Sequence, residues 1–183
     1  MQIFAALLVC GIAVSIAADS DWKSAKTMYD FVVKDIDGNE VSLDKYQGHP
    51  VLVVNVASKC GLTDTNYRQL NELYTNYRDR GFRIIAFPSN EFKKQEPGCN
   101  AEIKEFAKKY DVKFDMMTKI KVNGDDAHPL YKWLKNKQGL DDIEWNFAKF
   151  LIDQNGVPIK RYDPRVAPKD IESDVKSLLY NEL

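Results

Sequence analysis

The sequence predicts an α/β protein, a mixed β-sheet with helices on both faces. Three observations lead there. Two turn signals, Asp37-Gly38-Asn39 and Gln154-Asn155-Gly156, each separate a pair of runs with strand character. Between these hairpins, Val51–Ala57 and Phe82–Phe87 are nearly continuous apolar runs, as in strands covered on both faces. Tyr67, Leu70, Leu73, Tyr74 and Tyr77 recur at helical spacing between those runs, which makes a strand–helix–strand unit.

In chain order, Tyr29–Ile36 and Glu40–Leu43 form the first hairpin, and Gln47-Gly48-His49-Pro50 turns the chain into the Val51–Ala57 strand. The helix after Cys60-Gly61 closes at Arg80-Gly81, a C-terminal glycine signal. Phe82–Phe87 is a second central strand ended by Pro88. Asn100 is the expected N-cap of a helix from Ala101 to about Tyr110. Lys119–Gly124 is expected as a short strand or edge segment. His128–Leu134 begins a helix that ends near Gly139. Trp145–Asp153 and Val157–Tyr162 make the second hairpin, and Lys169–Leu183 an amphipathic helix.

A chain of 183 residues, 44% hydrophobic and 29% charged, is expected as one domain with its own core. Its 26 basic and 27 acidic residues argue against nucleic acid, because phosphate binding needs a basic excess. Ile3–Ile16 is an apolar stretch followed by Ala17-Ala18, the pattern of a cleaved secretory signal. It falls short of the roughly 20 residues that span a bilayer. The expected organisation is a signal peptide at 1–18 and a single domain at 19–183, secreted. Cleavage removes Cys10 and leaves Cys60 and Cys99. His49 and His128 both precede prolines and lack metal-ligand spacing to a cysteine, so no metal and no bound cofactor is expected.

One residue carries the chemistry. Cys60 sits where the Val-rich strand hands over to a helix, a place where ligands gather at the carboxyl ends of parallel strands. The thiolate is the nucleophilic form of cysteine, and an ordinary thiol of pKa about 8.5 is only a few per cent ionised at pH 7. Unpaired N–H groups at a helix start favour an anion, and Lys59 stands beside the sulfur. A buried structural cysteine is the alternative. The location, and Gly61 leaving the backbone open beside the sulfur, favour a reactive thiol. Cys60-Gly-Leu-Thr63 lacks the second cysteine of a Cys-x-x-Cys dithiol.

Four motifs then resemble the glutathione peroxidase family: Asn55-Val-Ala-Ser-Lys-Cys-Gly61, Phe87-Pro-Ser-Asn-Glu-Phe92, Gln95-Glu-Pro-Gly98 and Trp145-Asn-Phe147. The likeness runs from about Tyr29 to Tyr162. It implies a thioredoxin fold and thiol-dependent reduction of hydrogen peroxide and of organic or lipid hydroperoxides, protecting against oxidative stress. Cys60 takes the place of the peroxidatic residue, and Trp145 and Asn146 those of the indole and amide around it. Both are hydrogen-bond donors, as developing negative charge on the peroxide oxygens requires.

Three departures from the family pattern bear on mechanism. Glu91 stands where the resemblance leads one to expect glutamine beside the sulfur, and a carboxylate there repels a thiolate and donates no hydrogen bond. Ser89 occupies a frequent cysteine position, and Cys99 lies at an unusual one, as either an inert thiol or a resolving partner for Cys60. The segment Leu140–Glu144 is short where tetrameric members carry an insertion, which implies a monomer similar to the phospholipid-hydroperoxide type. Tyr180-Asn-Glu-Leu183 matches an endoplasmic-reticulum retention signal only in Glu-Leu, so the lumen of that compartment is the alternative to secretion. Glutathione, thioredoxin or a protein disulfide isomerase are the reductants the resemblance admits. Lys93, Lys94, Lys104, Lys108 and Lys109 either attract carboxylates of glutathione or anionic lipid, or form a solvated face. A redox-sensing or disulfide-relay protein with little steady-state turnover is the competing function.

Overall fold

The computed structural model describes residues 22–139 and 141–180. The expected signal peptide and the terminal Asn181-Glu-Leu183 lie outside the described residues. Strands β1 (Val32–Lys34) and β2 (Glu40–Ser42) form the first hairpin. Asp35 shapes its turn, its Oδ1 accepting from the amides of Asp37 and Asn39 at 2.9 Å each. The main sheet contains β3 (Val51–Val56), β4 (Arg83–Pro88), β5 (Asp115–Met116), β6 (Lys149–Ile152) and β7 (Pro158–Tyr162), in the order β5-β4-β3-β6-β7. β3 pairs with β4, and β4 with β5, in parallel; β6 runs antiparallel to β3 and to β7.

Strand alternation divides the core. Val51 and Val53 of β3 face one cluster, while Leu52, Val54 and Val56 face the other, and all five are fully buried. Helix α3 (Pro129–Lys137) covers the first face with Leu130, Tyr131, Trp133 and Leu134. Helices α1 (Thr63–Tyr77) and α4 (Glu172–Tyr180) cover the second, through Tyr67, Leu70, Leu73 and Val175. The β6–β7 turn requires Gly156, which has φ +78°; a Cβ there would meet the Tyr29 ring at 2.7 Å.

Two expectations shift. Helix α2 (Asn100–Lys109) is capped by Cys99, not Asn100. Glu102 reaches back to the Cys99 amide at 2.8 Å, whereas the Asn100 side-chain oxygen accepts from Lys119 N at 2.9 Å. The Lys119–Gly124 segment is not a strand. The outer edge of β4 is taken by the two-residue β5, with Asp115 opposite Ile85 and Met116 opposite Ala86. The chain that follows gives Pro88 a single amide, from Ile120 at 2.9 Å, and then turns its Val122 and Asn123 amides onto Glu91. His128 caps α3 through Nδ1, which accepts from Leu130 N at 3.2 Å ahead of Pro129. Desolvation holds its pKa down at about 4, so its ring is neutral at pH 7.

Candidate active site

The site begins where β3 ends. Thr63, the first residue of α1, ties the connecting loop together: its hydroxyl donates to Ala57 O at 2.7 Å and accepts from Cys60 N at 3.1 Å. Cys60 is a free thiol, partly exposed, and its Sγ accepts from Leu62 N at 3.5 Å. It faces a cavity of about 1140 Å³, lined also by Gln95, Trp145 and the Asp163–Val166 segment.

Trp145 and Asn146 arrive from the far end of the sequence because β6 pairs with β3. Asn55, fully buried on β3, holds both ends of their turn. Its Nδ2 donates to Trp145 O at 3.1 Å, and its backbone oxygen accepts from Phe147 N at 2.7 Å. Phe147 adopts φ +71°, a left-handed conformation that a bulky residue holds only when its surroundings enforce it. Lys149 completes the brace from within the protein, donating to Phe147 O at 2.7 Å and Val166 O at 2.8 Å. It is fully buried, and desolvation lowers its pKa to about 7.

The third contributor is the turn after β4. Lys59 N donates to Gln95 O at 3.0 Å, and Asn90 Oδ1 accepts from Glu96 N at 2.9 Å. Lys93 and Lys94 both adopt left-handed φ, +51° and +53°. Such conformations cost roughly 1–2 kcal/mol for residues with a side chain. The turn thus presents the Gln95 side chain to Asn146, whose Nδ2 donates to Gln95 Oε1 at 2.8 Å. Asn146 is fully buried, and its Oδ1 has no hydrogen-bond partner among the described residues. The Trp145 indole packs against Phe92 at 5.9 Å between ring centroids, with the Lys93 ammonium 5.5 Å above it. Beneath the turn, Glu96 is fully buried and accepts from Ser58 Oγ at 2.6 Å; desolvation raises its pKa.

Trp145 and Cys60 line one cavity, and Asn146 is joined to it through Gln95. Glu91 is elsewhere, which corrects the expectation that it stands beside the sulfur. Its carboxylate accepts from the amides of Val122 and Asn123 and from Ser89 Oγ, the last at 3.1 Å. An ionised carboxylate is acceptor-only, and that loop supplies two N–H groups for it. The residue the sequence reading missed is Gln95. It lay inside a quoted motif, and it is a neutral amide, the donor type this chemistry needs. Cys99 does not line the Cys60 cavity, and neither do Lys93, Lys94, Lys104, Lys108 and Lys109. Lys104 pairs with Asp37 at 2.6 Å and Lys108 with Glu105 at 2.5 Å. Among the described residues, no group of three or more His, Cys, Asp and Glu could hold a metal ion.

A thiol at the carboxyl end of a central strand, in a mixed sheet entered by a β3–α1–β4 crossover, defines a thiol protein of thioredoxin fold. The sequence model of glutathione peroxidase matches residues 28–135, and the chain belongs to the glutathione peroxidase family. It is 53% identical over 180 residues to the phospholipid hydroperoxide glutathione peroxidase of Bos taurus, covering 95% of this chain and 91% of that one. It is 56% identical over 164 residues to a glutathione peroxidase of Schistosoma mansoni, covering 87% and 97%. The crystal structure of T. cruzi GPX1 superposes with a TM-score of 0.70 at 39% identity, over 84% of this chain and 97% of that one.

Proposed function

We propose that the protein reduces hydroperoxides with thiols, using Cys60 as the peroxidatic residue. The observation that carries this reading is the meeting of a free thiol with neutral donors from two distant segments, Gln95 and Trp145, in one cavity. The Cys60 thiolate attacks one peroxide oxygen, the O–O bond breaks, and the second oxygen leaves as alkoxide or hydroxide and takes a proton. Cys60 becomes a sulfenic acid. A first thiol displaces water to give a mixed disulfide, and a second releases Cys60 as the thiol with a small-molecule disulfide as product. Trp145 Nε1–H and the Gln95 amide nitrogen are the donors for the oxygens that gain charge. The Gln95 oxygen is held by Asn146, which fixes which end of the amide serves. Aimed at developing charge, one such donor is worth about 3 kcal/mol.

The test is hydroperoxide turnover with excess glutathione or thioredoxin, by the purified protein and by Cys60→Ser. The wild type is expected to turn over continuously. The serine variant, folded by circular dichroism, should lose at least about 1,000-fold, because a hydroxyl is far less ionised and less nucleophilic than a thiol. Retained turnover in the variant overturns the assignment of Cys60. One equivalent of oxidation followed by a stall, in the wild type, would support the relay function in its place. The short Leu140–Glu144 segment and the apolar Ile3–Ile16 run further support a secreted monomer, to be checked by sedimentation and by N-terminal sequencing of the exported protein.

A further inference from the structure

We infer that Lys149 is a positioning residue for the peroxide step: it ties the Trp145 turn to the Val166 backbone and thereby fixes where the indole N–H meets the oxygen that gains charge. The inference deepens the peroxidase reading and rests on it. Trp145 and Val166 both line the Cys60 cavity, yet one precedes β6 and the other follows β7. Lys149 Nζ joins their segments, reaching Phe147 O at 2.7 Å and Val166 O at 2.8 Å. Asn55 ties the same turn to β3 through Trp145 O and Phe147 N, which leaves Phe147 O to Lys149. Phe147 sits at φ +71°, a conformation that a bulky residue keeps only when its surroundings over-determine it. Releasing its carbonyl lets the turn relax, and the indole moves with it.

A lysine here is a costly choice if its task is packing alone. It is fully buried, and both partners are neutral carbonyls. An apolar side chain of similar length would fill the same space without desolvating a charge. What an apolar chain lacks is one group with several donors, able to hold carbonyls of two separate segments. In the sheet, Val54 of β3 and Tyr162 of β7 lie opposite Lys149, and the Tyr162 hydroxyl donates to Asp174 at 2.6 Å. The segment after β7 contributes Asp163, Arg165 and Asp170. Desolvation lowers the Lys149 pKa to about 7, so its two bonds are charge-assisted below that pH and weaker above it.

The full-length protein and its Lys149→Met, Trp145→Phe and doubly substituted forms are oxidised at Cys60 by hydrogen peroxide, and the second-order rates are compared. Trp145→Phe removes one donor and should lose about 100-fold. Lys149→Met misplaces that donor and should lose about 10-fold. Because Lys149 acts through Trp145, the double variant should be at most about 2-fold slower than Trp145→Phe, whereas independent losses multiply. Alkylation of Cys60 by iodoacetamide needs the thiolate but no donor to a peroxide oxygen, and in Lys149→Met it should change by less than about 2-fold. An unchanged peroxide rate in Lys149→Met overturns the inference, as do multiplying losses or a parallel loss of alkylation. A second measurement keeps Lys149 in place and uses no peroxide. The three tryptophans are labelled as 5-fluorotryptophan in Cys60→Ser combined with His49→Asn. Those changes remove a thiol and a histidine, side-chain types that can titrate near neutral pH. The Trp145 fluorine resonance, assigned by its loss in Trp145→Phe, should shift with a pH midpoint of about 7. A resonance that stays fixed through that range overturns the inference, whether or not Lys149→Met folds. A shift with that midpoint, in a protein whose wild type fails to react with hydroperoxide, supports the link from Lys149 to Trp145 and defeats the peroxidase reading alone.

Discussion

The turn after β4 presents two polar side chains, four residues apart, to two different parts of the molecule. Glu91 reaches the Val122 and Asn123 amides and serves as a bracket between loops. Gln95 reaches Asn146 and the Cys60 cavity. The left-handed Lys93 and Lys94 lie between them and reverse the direction in which successive side chains point. Proximity in a motif therefore does not mean proximity in space: backbone handedness decides which side chain joins the site and which joins the scaffold.

The two sides should separate cleanly under substitution. Gln95→Ala removes a donor facing the reacting oxygens and frees the Asn146 amide. The second-order rate of Cys60 oxidation by peroxide is expected to fall about 100-fold, the usual consequence of losing one placed donor, with melting temperature little changed. Stopped-flow oxidation beside thermal unfolding measures both. An unchanged rate would place Gln95 with the scaffold.

The scaffold side carries a titrating group of its own. His128 N donates to Lys121 O at 2.9 Å, anchoring the loop that receives Glu91. Its folded pKa of about 4 lies below the ordinary 6.5, so the unfolded chain binds the extra proton first. The stability it confers is full above about pH 6.5 and is lost as pH falls toward 4, on the order of 2 kcal/mol after allowance for partial exposure. His128→Asn, which keeps a capping side chain, should flatten that part of the pH–stability curve in urea titrations. A curve that keeps its acid slope would assign the loss to other groups.

Glu91 should give the smallest effect. Glu91→Ala removes exposed, charge-assisted hydrogen bonds and should cost about 1 kcal/mol of stability. Glu91→Gln keeps an acceptor and should cost less. Neither should alter the pH 7 rate of Cys60 oxidation. A marked acceleration in the glutamine variant would bring the carboxylate back to the sulfur and collapse the contrast between the two sides.

Much of this was legible in the sequence, for reasons that differ by element. Asp37-Gly38-Asn39 and Gln154-Asn155-Gly156 announced their hairpins because left-handed turn positions admit few residues. Val51–Ala57 announced a doubly covered strand because nothing in it suits water except Asn55, and Asn55 proved to be the clamp of the Trp145 turn. β5 was hidden: two residues, both half-exposed, leave no periodicity to read. Cys60 was legible from its place at a strand end. The pairing of Gln95 with Asn146 was not, since it depends on two consecutive lysines adopting a conformation their side chains disfavour. Lys149 was equally hidden, because lysine in a strand reads as solvent-facing, and only the two carbonyls around it explain its burial.

The antiparallel pairing of β6 with β3 also sets an order in time. Asn55 and Trp145 are 90 residues apart. At a synthesis rate of about 5–20 residues per second, roughly 5–20 seconds separate their emergence from the ribosome. β3, α1 and β4 are neighbours in sequence and can associate first, so Cys60 stands on a partly built sheet before its indole donor and the Asn146 amide that orients Gln95 exist. Only when the last hairpin docks does the thiol acquire the groups that draw charge off a breaking O–O bond. A nascent or C-terminally truncated chain thus carries the nucleophile without its catalytic surroundings, and full peroxide reactivity at Cys60 reports completed folding.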